Sequence, residues 1–347
     1  MTDGFPGAGS ASSSPPVGVR MRLKKLTTSA VLIVAVGAAA IGCARFPAPE
    51  SPPPVAFGIR ALPPGAQTDV PEEPVPNSQD CAATVSLRPG PMPPPAQMPQ
   101  RSTMAEILQN GRLIVGLDIG SNLFSFRDPI SGDIQGFDVD IARAIARAIF
   151  GDEATIEFRV LSSADRTRAL VDGTVDVVVK TMSITCERLQ DVSFSAPYYI
   201  AYQRILSTRN SGVTGPGQLV GKRVCAARGA TSIGRIQAIV PRVRMVTTTT
   251  WADCLVMMQQ GQADAVSTDD AILAGLAEQD PWVELVGPSL GAEYYGVGIP
   301  KGQDDMVRFV NGVLEQLRSS GQWQQMYQRW LSILGPSNGP PQPIYRD

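Results

Sequence analysis

One short segment of this chain combines residue types that could hold a small anion. Residues 176–188 read Asp-Val-Val-Val-Lys-Thr-Met-Ser-Ile-Thr-Cys-Glu-Arg, an apolar run that gives way to hydroxyl residues and ends on Arg188. A guanidinium can meet a carboxylate with two parallel hydrogen bonds. In an extended chain Thr181, Ser183 and Thr185 point to one side. The segment predicts a carboxylate-binding site; the alternative is a plain strand end with Arg188 as a surface charge.

The composition excludes several kinds of chemistry. The chain has 347 residues, a formal net charge of -2 and no histidine. Without histidine the usual general base is missing, so Ser-His-Asp and Cys-His catalysis cannot operate. The cysteines form no CxxC pair, and no block of basic residues occurs. We therefore expect a binding protein rather than an enzyme, with no metal, no cofactor and no nucleic-acid partner.

The N-terminus reads as an export signal, residues 1–42. A basic stretch at 21–25 precedes an apolar stretch at 28–41, which ends in Ala-Ile-Gly-Cys43. This pattern resembles a bacterial lipobox, which implies cleavage before Cys43, a lipid on Cys43 and an extracytoplasmic protein anchored at the outer face of the cytoplasmic membrane. The apolar stretch is shorter than the roughly 20 residues of a spanning helix, which disfavours an uncleaved anchor. Translation could also begin at Met21.

Two segments are rich in proline. Residues 43–100 carry prolines at a density that opposes helix and sheet, so we predict an extended tether between the lipid and the globular part. Residues 335–347 have the same character and are predicted to form a flexible tail.

The globular part alternates predicted strands and helices, first over 111–179 and again over 221–270, which indicates two α/β lobes. The strand at 175–179 lacks polar alternation, as in a parallel sheet. The chain crosses between the lobes near 201–207 and 290–295, and two crossings form a hinge. Lobe 1 is predicted to comprise 101–203 and 292–334, and lobe 2 to comprise 204–291. The predicted helix caps are Thr103, Asp138 or Asp140, Asp165, and Thr231 or Ser232.

The cysteines are predicted to form disulfides. A lipid on Cys43 leaves four of the five cysteines, and an exported chain can oxidise them. Cys225 ends a predicted strand and Cys254 opens a helix of the same lobe, so we pair these two. Cys81 then pairs with Cys186, which is one of three possible connectivities.

Seven short motifs lie in order at residues 136–140, 185–188, 194–198, 221–224, 229–231, 263–266 and 268–270. Together they resemble those of the polar amino-acid-binding proteins of ABC importers, the extracellular solute-binding proteins of family 3. The similarity extends in particular to the actinobacterial glutamine/glutamate-binding lipoproteins. It implies a periplasmic-binding-protein (Venus-flytrap) fold, a monomer, an amino-acid ligand between closing lobes and a permease as membrane partner. An amino-acid sensor that signals to a membrane partner is the alternative.

The resemblance assigns roles to the residues that would hold the ligand's backbone. Arg188 is implied to clamp the α-carboxylate, assisted by Ser183 and by the backbone around Thr181. Asp269 is implied to accept hydrogen bonds from the α-ammonium; the alternative is a plain helix cap.

Other residues are assigned to the carboxylate side and to the side-chain pocket. Gly229 and Thr231 would present the amides of a helix N-terminus to the carboxylate. Ser163 and Arg166 match the glutamate/aspartate-binding branch, and Lys180 would add a second cation unless it faces water. These cations favour glutamate or aspartate as the ligand.

Two further positions complete the predicted pocket. Asp118 stands where the glutamate/aspartate-binding branch has an arginine, which would let an amide such as asparagine or glutamine bind as well. Phe124 is the best candidate for an aromatic wall.

Overall fold

The computed structural model describes residues 61–68, 70–77 and 81–347. The predicted signal peptide, the start at Met21 and the lipidated Cys43 lie outside the described residues. Within them, no helix is both long and apolar enough to cross a membrane.

Strands and helices alternate through most of the described chain. The strands are β1 (Gln67–Thr68), β2 (Val85–Leu87), β3 (Leu113–Leu117), β4 (Gly120–Ser121), β5 (Ser125–Arg127), β6 (Ile134–Gln135), β7 (Ile156–Val160), β8 (Val177–Val178), β9 (Val192–Phe194), β10 (Tyr199–Thr208), β11 (Arg223–Ala227), β12 (Arg244–Thr248), β13 (Ala265–Asp269), β14 (Val283–Tyr295), β15 (Gly298–Pro300) and β16 (Ile344–Arg346). The helices are α1 (Thr103–Asn110), α2 (Phe137–Phe150), α3 (Arg166–Val171), α4 (Arg188–Asp191), α5 (Ser232–Ile239), α6 (Trp251–Gln259), α7 (Asp270–Ala277), α8 (Asp304–Ser319) and α9 (Gln322–Trp330).

Lobe 1 is built on a five-stranded sheet with the order β7-β3-β8-β15-β9. Strand β3 is parallel to β7 and β8, whereas β15 returns from the second lobe and pairs antiparallel with β8 and β9. Helix α2 carries Phe137, Ile141, Ile145 and Ile149 at intervals of four residues, and all four are buried. This spacing places them on one helical face, which covers the lobe's core together with α8 and α9.

Lobe 2 is built on a six-stranded sheet with the order β1-β12-β11-β13-β10-β14. Strand β11 is parallel to both β12 and β13, and α5, α6 and α7 contribute to the core. The disulfide Cys225–Cys254 ties β11 to α6, with a Cα–Cα distance of 5.6 Å. Parallel strands place their carboxyl ends at one edge of the sheet, where the following loops and helix N-termini meet.

The long strands β10 and β14 join the lobes. They pair antiparallel from Tyr199 opposite Tyr295 to Thr208 opposite Val283, with a register shift next to Gln203. Both predicted crossings lie within these strands. The prediction of a two-lobed α/β fold with two hinge crossings is therefore confirmed.

The two proline-rich segments differ from the prediction. Strand β1 adds an antiparallel edge to lobe 2 by pairing with β12, and β2 pairs in parallel with β16 at the C-terminus. Strands β1, β2 and β16 thus pack on the folded part of the chain, so the described residues around them do not form a free tether and a flexible tail. Short runs without proline lie between the prolines. The residues of these runs keep their backbone N–H groups, which can pair with a neighbouring strand.

Several predicted helix caps were wrong. Ser102, not Thr103, caps α1, because its hydroxyl accepts a hydrogen bond from the Ala105 amide at 3.1 Å. Helix α2 starts after Gly136, so Asp138 and Asp140 lie inside its first turn. Asp165 and Thr231 do stand at the N-cap positions of α3 and α5, as predicted, but neither side chain makes a capping hydrogen bond. Ser232 is already the first helical residue of α5.

The C-terminal strand should contribute to stability. Deleting residues 344–347 removes β16 and the 2.8 Å hydrogen bond from the Tyr345 hydroxyl to Glu315. We expect the midpoint of thermal unfolding to fall by about 3–6 °C, the equivalent of about 1–2 kcal/mol in a domain of this size. Calorimetry measures this shift. Arg88→Ala is the control, because its ion pair with Asp347 is exposed and should contribute little. A flexible tail would give no shift.

Candidate ligand-binding site

Residues from both lobes meet where β8 and β13 end. The cavity between them leaves only about 10 Å³ for the centre of a water molecule, barely enough to hold one water, so the two lobes are closed on each other. Lobe 1 and lobe 2 each contribute part of the lining, which consists of Ser163, Arg166, Thr181, Ser183, Ala230, Thr231, Trp251, Thr268, Asp269 and Ile272.

Arg188 reaches from lobe 1 to lobe 2. It is the first residue of α4, and its Nη1 donates to the Ser183 carbonyl at 2.6 Å while Nη2 donates to the Gly229 carbonyl at 3.0 Å. Burial lowers the pKa of this guanidinium, and the nearby Glu293 and Asp269 oppose that shift. The guanidinium remains a cation and is fixed at the junction of the lobes.

Arg166 lies beside Arg188 and is 4% exposed. Its Nε donates to the Ser163 carbonyl at 2.9 Å, and its Nη1 donates to the Lys180 and Thr181 carbonyls at 3.0 and 3.1 Å. Burial and the neighbouring Arg188 lower the pKa of Arg166 to about 9. No carboxylate forms an ion pair with Arg166 among the described residues. The site therefore holds excess positive charge, which an anion would offset.

Asp269 ends β13 on the lobe 2 side. Its Oδ2 accepts a hydrogen bond from the Tyr295 hydroxyl, whereas its buried Oδ1 has no hydrogen-bond partner among the described residues. Burial, with Glu293 nearby, raises the pKa of this carboxyl to about 8. Asp269 stands at the N-cap position of α7, but its side chain makes no capping hydrogen bond, so capping does not account for the buried carboxyl. An ammonium group would supply both the missing hydrogen bond and the counter-charge.

Two hydroxyls and a glycine complete the contact between the lobes. The Ser183 and Thr231 hydroxyl oxygens face each other at 3.4 Å. Gly229 has a φ of 76°, and a Cβ there would lie 2.7 Å from the Cα of Ala164 in lobe 1. Glycine thus permits the backbones of the two lobes to approach this closely.

Lys180 and Asp118 form a buried ion pair beneath the cleft. Lys180 is 1% exposed, and its Nζ lies 2.6 Å from Asp118 Oδ2. Burial alone would raise the pKa of Asp118, but Lys180 and hydrogen bonds from Gly120 and Ser121 hold it below its usual range. The alternative in which Lys180 faces water is wrong. The two predicted pocket residues neutralise each other and do not line the closed cleft.

Phe124 lies in the core rather than at the wall of the cleft. It is fully buried, and its ring packs edge-on against Phe137, Tyr199 and Tyr295 at centroid distances of 5.8, 5.5 and 5.8 Å. This cluster supports the hinge strands from the lobe 1 side. The lining residue Trp251 was not predicted from the sequence.

Asp138 supports the site from below, although the sequence suggested only a helix cap. Its Oδ2 accepts a hydrogen bond from the Thr181 amide at 2.8 Å, and its Oδ1 accepts one from the Tyr198 hydroxyl at 2.7 Å. Thr181 has a φ of 38°, which a non-glycine residue rarely adopts. Asp138 thus holds the turn that aims the Thr181 carbonyl at Arg166. Burial raises the pKa of Asp138 to about 7.

Both predicted disulfides are present. Cys81–Cys186, with a Cα–Cα distance of 5.7 Å, joins the N-terminal segment to the loop just before Arg188. Among the described residues, no group of three or more cysteine, aspartate or glutamate side chains is arranged to hold a metal ion.

The closed cleft is lined by Arg166 and by Asp269, whose Oδ1 has no hydrogen-bond partner among the described residues, and Arg188 lies beside it. This arrangement is typical of a receptor site between two lobes. The chain belongs to the bacterial extracellular solute-binding proteins of family 3, whose model matches residues 113–333. It is therefore an extracytoplasmic binding protein and not an enzyme.

Individual relatives agree with this assignment. The chain is 34% identical over 233 residues to the ABC transporter glutamine-binding protein GlnH of Bacillus subtilis, covering 67% of this chain and 85% of the relative. It is 28% identical to the glutamate-binding protein GluB of Corynebacterium efficiens, covering 63% and 78%. Among solved structures, a mutant of the arginine-binding protein ArgBP from T. maritima matches with a TM-score of 0.61 and 30% identity, covering 66% of this chain and 99% of that one.

The raised pKa of Asp138 predicts a pH dependence of stability. The folded pKa of about 7 exceeds the value of about 3.8 in the unfolded chain, so the contribution to folding is present below pH 4 and is lost as the pH rises to 7. Asp138→Asn removes this titration. We compare the free energy of unfolding in urea of the wild type and the variant at pH 4.5 to 7.5. The difference between them should shrink by about 1.4 kcal/mol for each pH unit up to the folded pKa. A pH-independent difference would contradict the assignment.

Gly229→Ala should impair closure. The new Cβ would collide with the Ala164 backbone only when the lobes are closed, so we expect ligand affinity to fall by at least about 10-fold, as a penalty of about 1.4 kcal/mol requires. Gly221→Ala is a matched control, since Gly221 has a φ of 72° but open space around it. Both variants carry the same backbone strain, and calorimetric titration should show weaker binding for Gly229→Ala alone. Equal affinities would mean that the closed contact is not used.

Proposed function

We propose that this protein binds a polar amino acid between its lobes and delivers it to an ABC importer. One observation carries the proposal: Arg188 of lobe 1 donates to the Gly229 carbonyl beside the cleft, and Asp269 of lobe 2 lines the cleft with an Oδ1 that has no hydrogen-bond partner among the described residues. A zwitterion offers a carboxylate to the first and an ammonium to the second, so a single amino acid satisfies both lobes at once. Ligand binding and closure are thereby coupled.

The charges favour glutamate or aspartate over a neutral ligand. The α-carboxylate would offset Arg188 and the ammonium would offset Asp269, which leaves Arg166 as an unpaired cation. Lys180 does not change this balance, because Asp118 neutralises it. A second carboxylate, on the side chain of the ligand, would neutralise Arg166. Glutamine and asparagine stay in the proposed ligand set, since their amide oxygen also accepts hydrogen bonds and relatives include a glutamine-binding and a glutamate-binding protein.

The proposal includes the predicted setting of the receptor. A lipid on Cys43 would hold the protein at the outer face of the cytoplasmic membrane, and a monomer would present its closed lobes to the permease. The family membership supports an extracytoplasmic receptor.

Calorimetric titration with L-glutamate, L-aspartate, L-asparagine and L-glutamine tests the proposed ligand. We expect binding with glutamate or aspartate ranked first. Asp269→Asn should weaken it about 100-fold, because a charged hydrogen bond contributes about 1.5–3 kcal/mol. The variant should unfold at no lower temperature than the wild type, since it removes a buried carboxyl and retains an acceptor for Tyr295.

Asp270→Asn is the control, because Asp270 only accepts backbone hydrogen bonds from Tyr202 and Ala271. No heat and no thermal shift with any of the four ligands would reject the proposal. Uptake measured in a deletion strain tests delivery: reduced uptake supports the importer, whereas unchanged uptake with altered regulation would favour a sensor.

A further inference from the structure

A second cavity lies where the hinge strand β10 meets α9 of lobe 1 and the first residue of α7 of lobe 2. It leaves about 210 Å³ for the centre of a water molecule, against about 10 Å³ in the cleft, and the two share no lining residue. The space therefore admits a small organic molecule. We propose that this cavity is a second binding site, for a small organic cation that carries an alkylated ammonium group. The proposal does not depend on which ligand fills the cleft.

Aromatic side chains from two elements line the cavity. Strand β10 contributes Tyr199 and Tyr202, and α9 contributes Trp323 and Tyr327. Trp323 and Tyr327 are four residues apart, which places them on one face of the helix, and their rings stack at a centroid distance of 5.6 Å. The face of an aromatic ring carries partial negative charge and attracts a cation within about 6 Å of its centroid. These rings thus favour a cation over an anion.

Asp270 is the one charged side chain among the described residues that line the cavity. Its Oδ1 accepts backbone hydrogen bonds from Tyr202 at 3.1 Å and from Ala271 at 2.8 Å, whereas its Oδ2 has no hydrogen-bond partner among the described residues. Burial raises the pKa of this carboxyl, although its backbone hydrogen bonds and the charge of Arg204 oppose that shift. No described lysine or arginine forms an ion pair with it. A bound cation would supply the missing counter-charge.

The C-terminal segment encloses the cavity. Residues 336–339 and Pro341 form one of its walls. The Tyr327 hydroxyl donates to the Gly335 carbonyl at 3.1 Å, and Arg318 Nη2 donates to the Pro341 carbonyl at 2.9 Å, so this wall is fixed to α8 and α9. Tyr202 is 44% exposed, so a ligand can reach the cavity from solvent. The site is therefore bounded on several sides and still accessible.

The side chains of this cavity suit an organic cation better than a metal ion. A calcium ion takes six to eight oxygen ligands, usually with several carboxylates among them. The cavity offers one carboxylate, and no group of three or more cysteine, aspartate or glutamate side chains among the described residues is arranged to hold a metal. Aromatic rings around a single negative charge instead form the kind of cage that recognises quaternary ammonium groups.

Choline serves as the probe that tests the proposal. Its neutral analogue, in which a quaternary carbon replaces the nitrogen, has the same shape without the charge. Saturation-transfer NMR titration of the full-length protein measures both affinities. We expect choline to bind at least about 10-fold more tightly than the analogue, because the aromatic faces and Asp270 attract the charge and not the shape. Equal affinities, or no binding of choline, would overturn the site.

Four variants decide where choline binds. Asp270→Asn removes the charge and keeps the acceptor for the two backbone amides, and Tyr202→Ala removes one aromatic ring, so each should weaken choline binding by about 5- to 10-fold. Glu278→Gln, at the exposed end of α7, and Asp269→Asn, in the cleft, are the controls and should leave the choline affinity unchanged. An unchanged affinity in either cavity variant, or a weakened one in either control, would contradict the assignment. These titrations contain no amino acid, so a failure of the proposed function leaves their outcome decisive.

Discussion

The closed form of this protein depends on two guanidinium groups that meet one carbonyl. Arg166 and Arg188 both belong to lobe 1, and both donate to the Gly229 carbonyl of lobe 2, at 3.3 and 3.0 Å. Two buried cations side by side repel each other, and backbone carbonyls supply only partial negative charge. The lobes are thus held together by bonds that leave a charge imbalance. An anionic ligand offsets this excess positive charge, so electrostatic attraction to the ligand favours the closed form.

The remaining site residues make this arrangement possible. Arg166 needs carbonyls that point inward, and these come from a turn at Thr181 that the buried Asp138 stabilises. On the other lobe, Glu293 forms a 2.6 Å ion pair with Arg235 and links the hinge strand β14 to α5. This pair ties the helix whose N-terminus faces the cleft to the strand about which the lobes rotate. The hinge strand β14 and the cleft-facing helix α5 are therefore in direct contact through this ion pair.

Much of the architecture followed from the sequence. Predicted strands that alternate with predicted helices indicated two α/β lobes, and residues 292–334 were predicted to return to lobe 1. In the structure, β15 pairs with β8 and β9 of lobe 1. Such elements can be predicted because the spacing of their apolar residues is visible within a short stretch of sequence.

Other features depend on contacts between residues distant in sequence. The sequence left open whether Lys180 binds the ligand or faces water. Strand β8 ends at Val178 and a left-handed turn follows at Thr181, and between them Lys180 points inward to Asp118. A carboxylate in the first turn of a helix resembles a cap, and only the fold shows that Asp138 holds a distant amide. Gln67 and Thr68 pair with β12, which is likewise far away in the sequence.

The proline-rich residues 61–68 and 70–77 are attached to lobe 2 by backbone hydrogen bonds, made by Gln67 and Thr68 to β12 and by Pro71 and Glu73 to Gln237. Proline restricts the backbone and removes a donor, which reduces the entropy that a segment loses when it binds an adjacent surface. A proline-rich segment is therefore suited to lie along lobe 2 in an extended form at low entropic cost. The disulfide Cys81–Cys186 fixes the chain that follows to the loop of lobe 1 just before Arg188.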